Sequence, residues 1–432
     1  MTSATPTAAG RPRQRTRLGT SLRNEHCVVI PNSKGFDTTA RRVNFWRVFL
    51  HVEWICHYSS YMVWTAAEAY NDLPALPPAQ DIETKTVLKA TVEARAALAA
   101  LDQAARRITN PTVLINSIPL LEAQASSEIE NIVTTADDLF KFAQDESAAS
   151  NPATKETLSY RTALFAGVAL IRARPLSVTT ATEVCTIVKG RQMDVRRQPG
   201  TYIGNPSTHA AIYTPPVGEA VIRDKLGDWE RFIHAPAGLD PLVAMAAAHY
   251  QFEAIHPFQD GNGRTGRILN VLMLMNAGLI AEPILYLSRY IIQNKDTYYQ
   301  LLLAVTRDGA WEEWVLFILE GIRQTALSTV EKIDQIQGLQ DETLGWIREL
   351  TSGGANADLL AVLFEQPYCR ISNVVERCTV SRPTATNWLN ALVEGGVLQN
   401  VRAGRERIFI NVKFFDLLLR PESAPPVEPT LF

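Results

Sequence analysis

The sequence predicts a mainly α-helical protein that ends in a winged helix-turn-helix domain. Three observations carry that expectation. From Thr84 to about Leu350, apolar residues recur at three- and four-residue spacing over long stretches, the mark of helices that bury one face. Strand-like alternation is confined to two short places, residues 196–216 and 401–411. Between them, residues 371–398 read as helix, short turn, helix and lead into the second alternating place, as a wing follows a helix-turn-helix.

A chain of 432 residues, 46% hydrophobic and 20% charged, is long enough for two or three domains with cores of their own. Its formal charge of −3 excludes binding to polyanions by bulk charge. The five cysteines, Cys27, Cys56, Cys185, Cys369 and Cys378, form no CxxC pair. Disulfides and zinc are therefore not expected, which fits a reducing cytoplasm.

Residues 1–65 read as a disordered or poorly structured extension, rich in Thr, Ala, Arg and Gly at the start. The stretch FWRVFLHVEWICHYSSYMVW (45–64) is apolar, but Arg47, His51, Glu53 and His57 interrupt it. It falls short of the roughly 20 apolar residues of a spanning helix and lies too far in for a signal peptide. No membrane contact is expected. Met62 stands as an alternative start, with order expected from about Tyr70.

The first helical region spans residues 66–150. After the proline-rich lead-in PALPPAQDIET, the alanines and leucines of residues 84–108 predict a long helix, broken by Asn110-Pro111. Residues 112–135 predict a second, kinked or divided at Pro119. A second domain, 151–350, begins with two helices within 158–190. It continues through RRQPGTYIGNPSTHAAIYTPP (196–216), whose Gly, Pro and aromatic residues predict a hairpin, and returns to helices from Val217. Gly353-Gly354 marks a boundary before the winged domain, 355–420, and residues 421–432 form a proline-rich tail.

The chemistry is concentrated in HPFQDGNGRTGR, residues 256–267. Glycines 261, 263 and 266 remove side chains where a backbone must approach a ligand closely. The apolar run behind them predicts a helix, so the glycine-rich turn becomes an anion-binding nest at a helix N-terminus. Arg264 and Arg267 add forked donors suited to phosphate. Asp260 beside an anion site makes sense if Mg2+ bridges carboxylate and phosphates. His256 accepts a proton near neutral pH. Together these parts describe nucleotide phosphates held for attack by a hydroxyl. The lysine-centred loop GxxxxGK[ST] does not occur.

The stretch resembles the signature of the Fic family, HxFx(D/E)GN(G/K)RxxR, with every specified position filled. The resemblance implies a Fic-type helical bundle with a β-hairpin flap, and transfer of AMP from ATP to a Ser, Thr or Tyr hydroxyl of a protein. It implies that His256 is the general base, Phe258 the anchor of the loop and Asp260 the Mg2+ ligand. Nucleotide binding then falls to Gly261, Asn262, Gly263, Arg264, Thr265, Gly266 and Arg267, with Arg264 on the β-phosphate and Arg267 on the γ-phosphate. Gly263, where a kinase-like branch has lysine, favours attack at the α-phosphate. The hairpin with Tyr202, Ile203 and Gly204 on one arm and Ile212 and Tyr213 on the other is the expected target-docking flap, acting by strand addition. Tyr298 and Tyr299 are candidates for the nucleotide pocket wall, with core packing the competing use.

Upstream, SSEIEN (126–131) has two readings. Ser127 and Glu130 fit a capping box that starts a helix. Ser126, Glu130 and Asn131 also resemble the family's inhibitory motif (S/T)xxxE(G/N), which implies that Glu130 pairs with Arg267 and blocks ATP. In the winged domain, Ser381 is a candidate N-cap for a recognition helix. Arg382, Thr384 and Asn387, with Arg402, Arg405 and Arg407 on the wing, are the DNA-facing candidates, and Trp388 reads as core. Seven Lys/Arg against five Asp/Glu over residues 355–415 is too mildly basic to favour DNA, and a protein contact is the alternative use. A nucleotide-sensing transcription regulator and an enzyme that removes AMP remain the rival functions. Homodimerisation is expected from the family alone, and the protein itself is a further candidate target.

Overall fold

Two helices buried on nearly every side form the centre of the protein, and the site lies at their junction. The structure is a computed structural model. It describes residues 64–108, 112–143, 146–204, 208, 210–351, 356–403 and 406–420. The expected N-terminal extension (except Trp64 and Thr65), the apolar stretch 45–63, the Gly353-Gly354 boundary and the tail 421–432 lie outside the described residues. α7 (Pro241–Ile255) begins at Asp240, whose side chain accepts from the Leu242 amide at 2.8 Å, with Pro241 pre-set for the first turn. Its alanines 244 and 246–248 are all buried, so neighbouring helices pack around its whole circumference. α8 (Asn262–Asn276) packs against it, likewise buried over most of its length.

The remaining helices wrap this pair. α1 (Lys85–Arg107), capped by Thr84, lies along α11 (Trp311–Leu350), a 40-residue helix. α2 (Thr112–Ile129) packs on α4 (Pro152–Ala173) and α9 (Leu287–Gln293); α5 (Val178–Lys189) joins α4 and α8. α3 (Ala136–Phe142), α6 (Glu219–His234) and α10 (Lys295–Asp308) complete this part. Pro119 sits inside α2 without dividing it. The first of the two helices expected within 158–190 begins earlier, at Pro152 with an Asn151 cap. The hairpin pairs β1 (Ile203–Gly204) with β2 (Ala211–Tyr213), Ile203 opposite Tyr213.

The capping-box reading of SSEIEN is not realised, because a helix ends there. α2 stops at Ile129, and the next helix is capped by Thr135, not Ser127. Asn131 adopts φ 61°. Its amide donates to the Glu128 carbonyl at 2.9 Å, and the Ile132 amide reaches back to Ser127 at 3.0 Å. This is a Schellman ending with asparagine at the left-handed position. It gives a physical reason for Gly or Asn after the glutamate: only such residues enter that conformation cheaply. Glu130 is thereby fixed as the C-cap residue.

At the C-terminus, α12 (Asn356–Glu365), β3 (Tyr368–Arg370), α13 (Ile371–Cys378), α14 (Arg382–Glu394), β4 (Gln399–Ala403), β5 (Glu406–Ile410) and α15 (Val412–Leu419) follow in the order of a winged helix. The sheet order is β3-β5-β4, so the expected two-stranded wing has a third, three-residue strand. Ser381 caps α14 through the Thr384 amide, and Trp388 is core, as expected. Arg382, Asn387 and Arg402 are exposed. Arg407 lies over the Phe409 ring; Arg405 lies outside the described residues. The far half of α11 carries α12, α14 and α15. Contacts also join α3 to this domain: the Tyr368 hydroxyl donates to Asp137, and Phe140 packs edge-on against Phe415. No described helix is long and apolar enough to cross a membrane.

Candidate active site

The site forms where α7 turns into α8. His256 terminates α7 in the left-handed conformation (φ 48°), and Gly261 begins α8 at φ 82°. The loop of four residues between them, 257–260, is braced from inside. Asn262 Oδ1 accepts from the Phe258 amide at 2.7 Å, and Asn262 Nδ2 donates to the Phe258 carbonyl at 2.8 Å. Phe258 is fully buried against Phe252. The Asn262 side chain is therefore spent on the loop, so what it offers the expected anion nest is its backbone amide.

His256 has a ring held neutral. Burial pushes its pKa down to about 4, with Arg196 adding to the effect and Glu130, the Glu253 backbone and Asp260 opposing it. A neutral ring at pH 7 is a proton acceptor. Arg196, buried and unsuspected from sequence, donates from Nε to the His256 carbonyl at 2.8 Å and from Nη2 to the Pro216 carbonyl. It ties the histidine turn to the segment that follows the hairpin.

The two arginines of α8 point to opposite sides. Arg267 is buried; its Nε donates to Ser126 Oγ at 2.8 Å, and its Nη2 donates to the Ser126 carbonyl and to Glu130 Oε1, each at 2.9 Å. Ser126 and Glu130 thus meet Arg267 as the inhibitory resemblance implies. The Ser126 carbonyl is one of those a helix end leaves free, so the arginine also completes the C-terminus of α2. Burial alone would raise the Glu130 pKa, but Arg267, then Arg264 and His256, hold it below the ordinary carboxylate value. The Glu130 side chain is 35% exposed, at the mouth of the site. Asn131 Oδ1 accepts from Lys295 at 3.2 Å.

Arg264, on the other side, donates to Glu156 Oε1 at 2.9 Å and stands 4.0 Å from Asp260 Oδ1. Its Nε and Nη1 are buried without a partner. A charged group rarely stays so unless a ligand completes it. Asp260, with its side chain 55% exposed, pairs with Lys189 at 2.7 Å. Burial opposes its charge, but Lys189 and Arg264 keep its pKa lowered. Lys189 and Glu156 belong to α5 and α4 and carried no sequence signal.

Gly263 and Gly266 are close-approach glycines. A Cβ at 263 would overlap Glu130 Oε1, and one at 266 would overlap Glu253 Oε1. Thr265 is fully buried, with its side chain against the Cys185 thiol. Glu253 is half-buried near Arg267, with its Oε1 enclosed, and burial pushes its pKa up to about 7. Tyr298 serves the core: it is buried among Trp314 and Phe317, with its hydroxyl 2.9 Å from His249 Nε2. Tyr299 is half-exposed and close enough to Glu130 that burial and that carboxylate raise its pKa to about 12.

On the hairpin, Tyr202 and Ile212 are exposed. Tyr213, expected to dock a target, instead turns its side chain inward and donates to the Ala254 carbonyl at 2.8 Å. The Tyr202 ring covers Gly204 so closely that any larger residue there would collide with it. Ile203 is half-buried. Residues 64–71 clip onto the hairpin: Trp64 stacks on Tyr213, the Tyr70 amide donates to the Thr214 carbonyl at 3.0 Å, and the Thr214 hydroxyl donates to the Ala66 carbonyl at 2.7 Å.

Comparison with known proteins agrees with this geometry. A Fic/DOC family N-terminal model matches residues 88–169, and a Fic/DOC family model matches 178–274. A model described as the C-terminal domain of a SoFic-like protein adenylyltransferase matches 339–414. Protein adenylyltransferase Fic of Drosophila willistoni is 34% identical over 106 residues, 24% of this chain and 20% of that protein. Protein adenylyltransferase fic-1 of Caenorhabditis briggsae is 37% identical over 78 residues, 18% of this chain and 15% of that one. The chain thus spans about a fifth or less of the curated relatives it matches. Among solved structures, a Fic family protein from Desulfovibrio desulfuricans G20 aligns with TM-score 0.46 and 19% identity over 77% of this chain and 98% of that one. Fic-1 from C. elegans aligns at 0.42 and 16%, over 59% and 73%. With the signature at 256–267 and three domain models in sequence along it, the chain belongs to the Fic/DOC family.

Proposed function

We propose that this protein is an adenylyltransferase, moving AMP from ATP to a Ser, Thr or Tyr hydroxyl of a protein and restrained by its own Glu130. One observation carries the reading: Arg264 is buried with two unpartnered nitrogens beside the glycine-rich start of α8, within a loop that also carries a neutral His256. A helix N-terminus with unsatisfied cationic donors takes an anion, and a neutral imidazole takes a proton.

His256 accepts the proton of the target hydroxyl as its oxygen bonds to the α-phosphorus. The bond from that phosphorus to the bridging oxygen breaks, and diphosphate leaves with the electron pair. The amides at 261–263 and Arg264 stabilise charge on the phosphates, while Arg267, once freed, holds the terminal one. Asp260 is suited to Mg2+: its carboxylate is half-exposed and already faces a cation, Lys189. Bound there, the ion would neutralise phosphate charge. The exposed edge at Tyr202 and Ile212 would align a target segment.

The test incubates wild type, Glu130→Gly and Glu130→Gly/His256→Ala with α-labelled ATP, Mg2+ and cell lysate, with intact mass of the enzyme read in parallel. Label confined to the single variant is expected. No label in any lane would reject AMP transfer and leave AMP removal or nucleotide sensing.

A further inference from the structure

The charge cluster at the start of α8 has a member that the mechanism above does not use. Lys189 is the last residue of α5, and its ammonium lies 2.7 Å from Asp260 Oδ2 and 2.6 Å from Glu156 Oε1. Glu156 Oε1 also takes Arg264 Nη2 at 2.9 Å. One ammonium therefore bridges two carboxylates, the surroundings in which a hard cation is otherwise held. Its position is built in: the side chain is only 13% exposed, and its stem packs so near Gly261 that a Cβ there would come within 3.1 Å of Lys189 Cδ. Gly190, left-handed at φ 61°, ends the helix immediately after it.

We propose that Lys189 is a resident counter-cation of the phosphate site, which competes with a divalent metal for Asp260 and supports nucleotide binding in the metal's absence. This rests on the nucleotide reading above. Lys189 and Arg264 balance Glu156 and Asp260, so the cluster is neutral without ligand. A metal about 2 Å from Asp260 would stand beside an ammonium on the same carboxylate, and the two repel. Added alone, the metal gives the cluster uncompensated positive charge. Added with phosphates, it does not. The metal accordingly enters with the nucleotide, and Lys189 keeps Asp260 in place until then.

The experiment measures the ATP dissociation constant by equilibrium dialysis, in EDTA and in excess Mg2+. The full chain carries Glu130→Gly alone, or with Lys189→Met or Lys189→Arg. Methionine keeps the packed stem and removes the charge; arginine keeps the charge. Thermal melts establish that each variant is folded. The expected result is that the ratio of the EDTA to the Mg2+ constant rises about tenfold in Lys189→Met, a change of about 1.4 kcal/mol, and stays at the parent value in Lys189→Arg. An unchanged ratio in Lys189→Met overturns the proposal alone. So does an equal rise in Lys189→Arg, because it would trace the effect to packing. A parent that binds no ATP in either buffer overturns the nucleotide reading and this inference with it.

Discussion

The Glu130 carboxylate lies directly against Gly263, where a Cβ would overlap Glu130 Oε1 and come within 2.9 Å of Arg267 Nη1. The glutamate thus fills the space over the first turn of α8 that a phosphate needs, and it holds the arginine that would meet that phosphate. Glu130→Gly should tighten ATP binding at least about tenfold, or ~1.4 kcal/mol. In that background Gly263→Ala should reverse the gain, because the methyl then blocks the phosphates themselves. Calorimetric ATP titration decides both. A Gly263→Ala/Glu130→Gly protein that binds as tightly as Glu130→Gly would show that the phosphates lie elsewhere.

α2, the helix that Glu130 terminates, is anchored by a second carboxylate. Glu122 is buried on α2; its Oε2 accepts from the Ser288 amide at 2.9 Å, and its Oε1 accepts from the Ser288 hydroxyl and from Tyr160 at 3.1 Å. Glu122→Ala strands those buried donors at about 1–3 kcal/mol for each group left unmade. The expected outcome is a clear fall in melting temperature, together with partial release of AMP transfer in otherwise wild-type protein. Unchanged melting would show that α2 is held by its apolar face alone.

His249 gives the fold an acid limit. Burial pushes its pKa down to about 3, with Arg267 adding to the effect. It stays neutral in the folded protein while the unfolded chain protonates near 6.5. The unfolded state therefore binds the extra proton, and stability falls as pH drops below about 6.5 and continues to fall toward 3. The slope is about 1.4 kcal/mol per pH unit for this one group. Melting curves at pH 7.5 and 4.5 should converge in His249→Gln, which is less stable at neutral pH but less acid-sensitive. Parallel curves for the variant and wild type would assign the acid limit to other groups.

The clip between residues 64–71 and the hairpin predicts a local effect. Trp64→Ala removes the stack on Tyr213 and should speed amide hydrogen exchange at residues 211–214 severalfold. The amides of α7 should stay protected, because opening there is local. Uniform protection in the variant would show that the clip adds nothing to hairpin order.

Some of this molecule was decided by local sequence. The helices at 85–107 and 382–394 follow from apolar spacing and from Thr84 and Ser381 as caps, all interactions within a few residues. The string 256–267 likewise specifies its own loop, since Gly261 and the Asn262–Phe258 bonds are local. Even the pairing of Glu130 with Arg267 was legible, although the wrong helix boundary accompanied it. Ser127 and Glu130 satisfy the capping-box pattern on paper, but the left-handed φ of Asn131 and the bonds back to Glu128 and Ser127 make the segment a helix end.

Other features had no local cause. Lys189, Glu156, Arg196 and Glu122 are ordinary charged residues in sequence. Lys189, Glu156 and Arg196 became parts of the site because α4, α5 and the segment before the hairpin converge on the α7–α8 junction, Arg196 from 60 residues away, whereas Glu122 braces α2 against Ser288, 166 residues on in the chain. Tyr298 and Tyr213 went to the core for the same reason: their hydroxyls found His249 and the Ala254 carbonyl across the packed interior. The sequence by itself determined which chemistry the loop carries, because backbone conformation and residue type are set within one turn. Tertiary packing decided which distant charges oppose and position that chemistry, because electrostatic partners depend on distance in space.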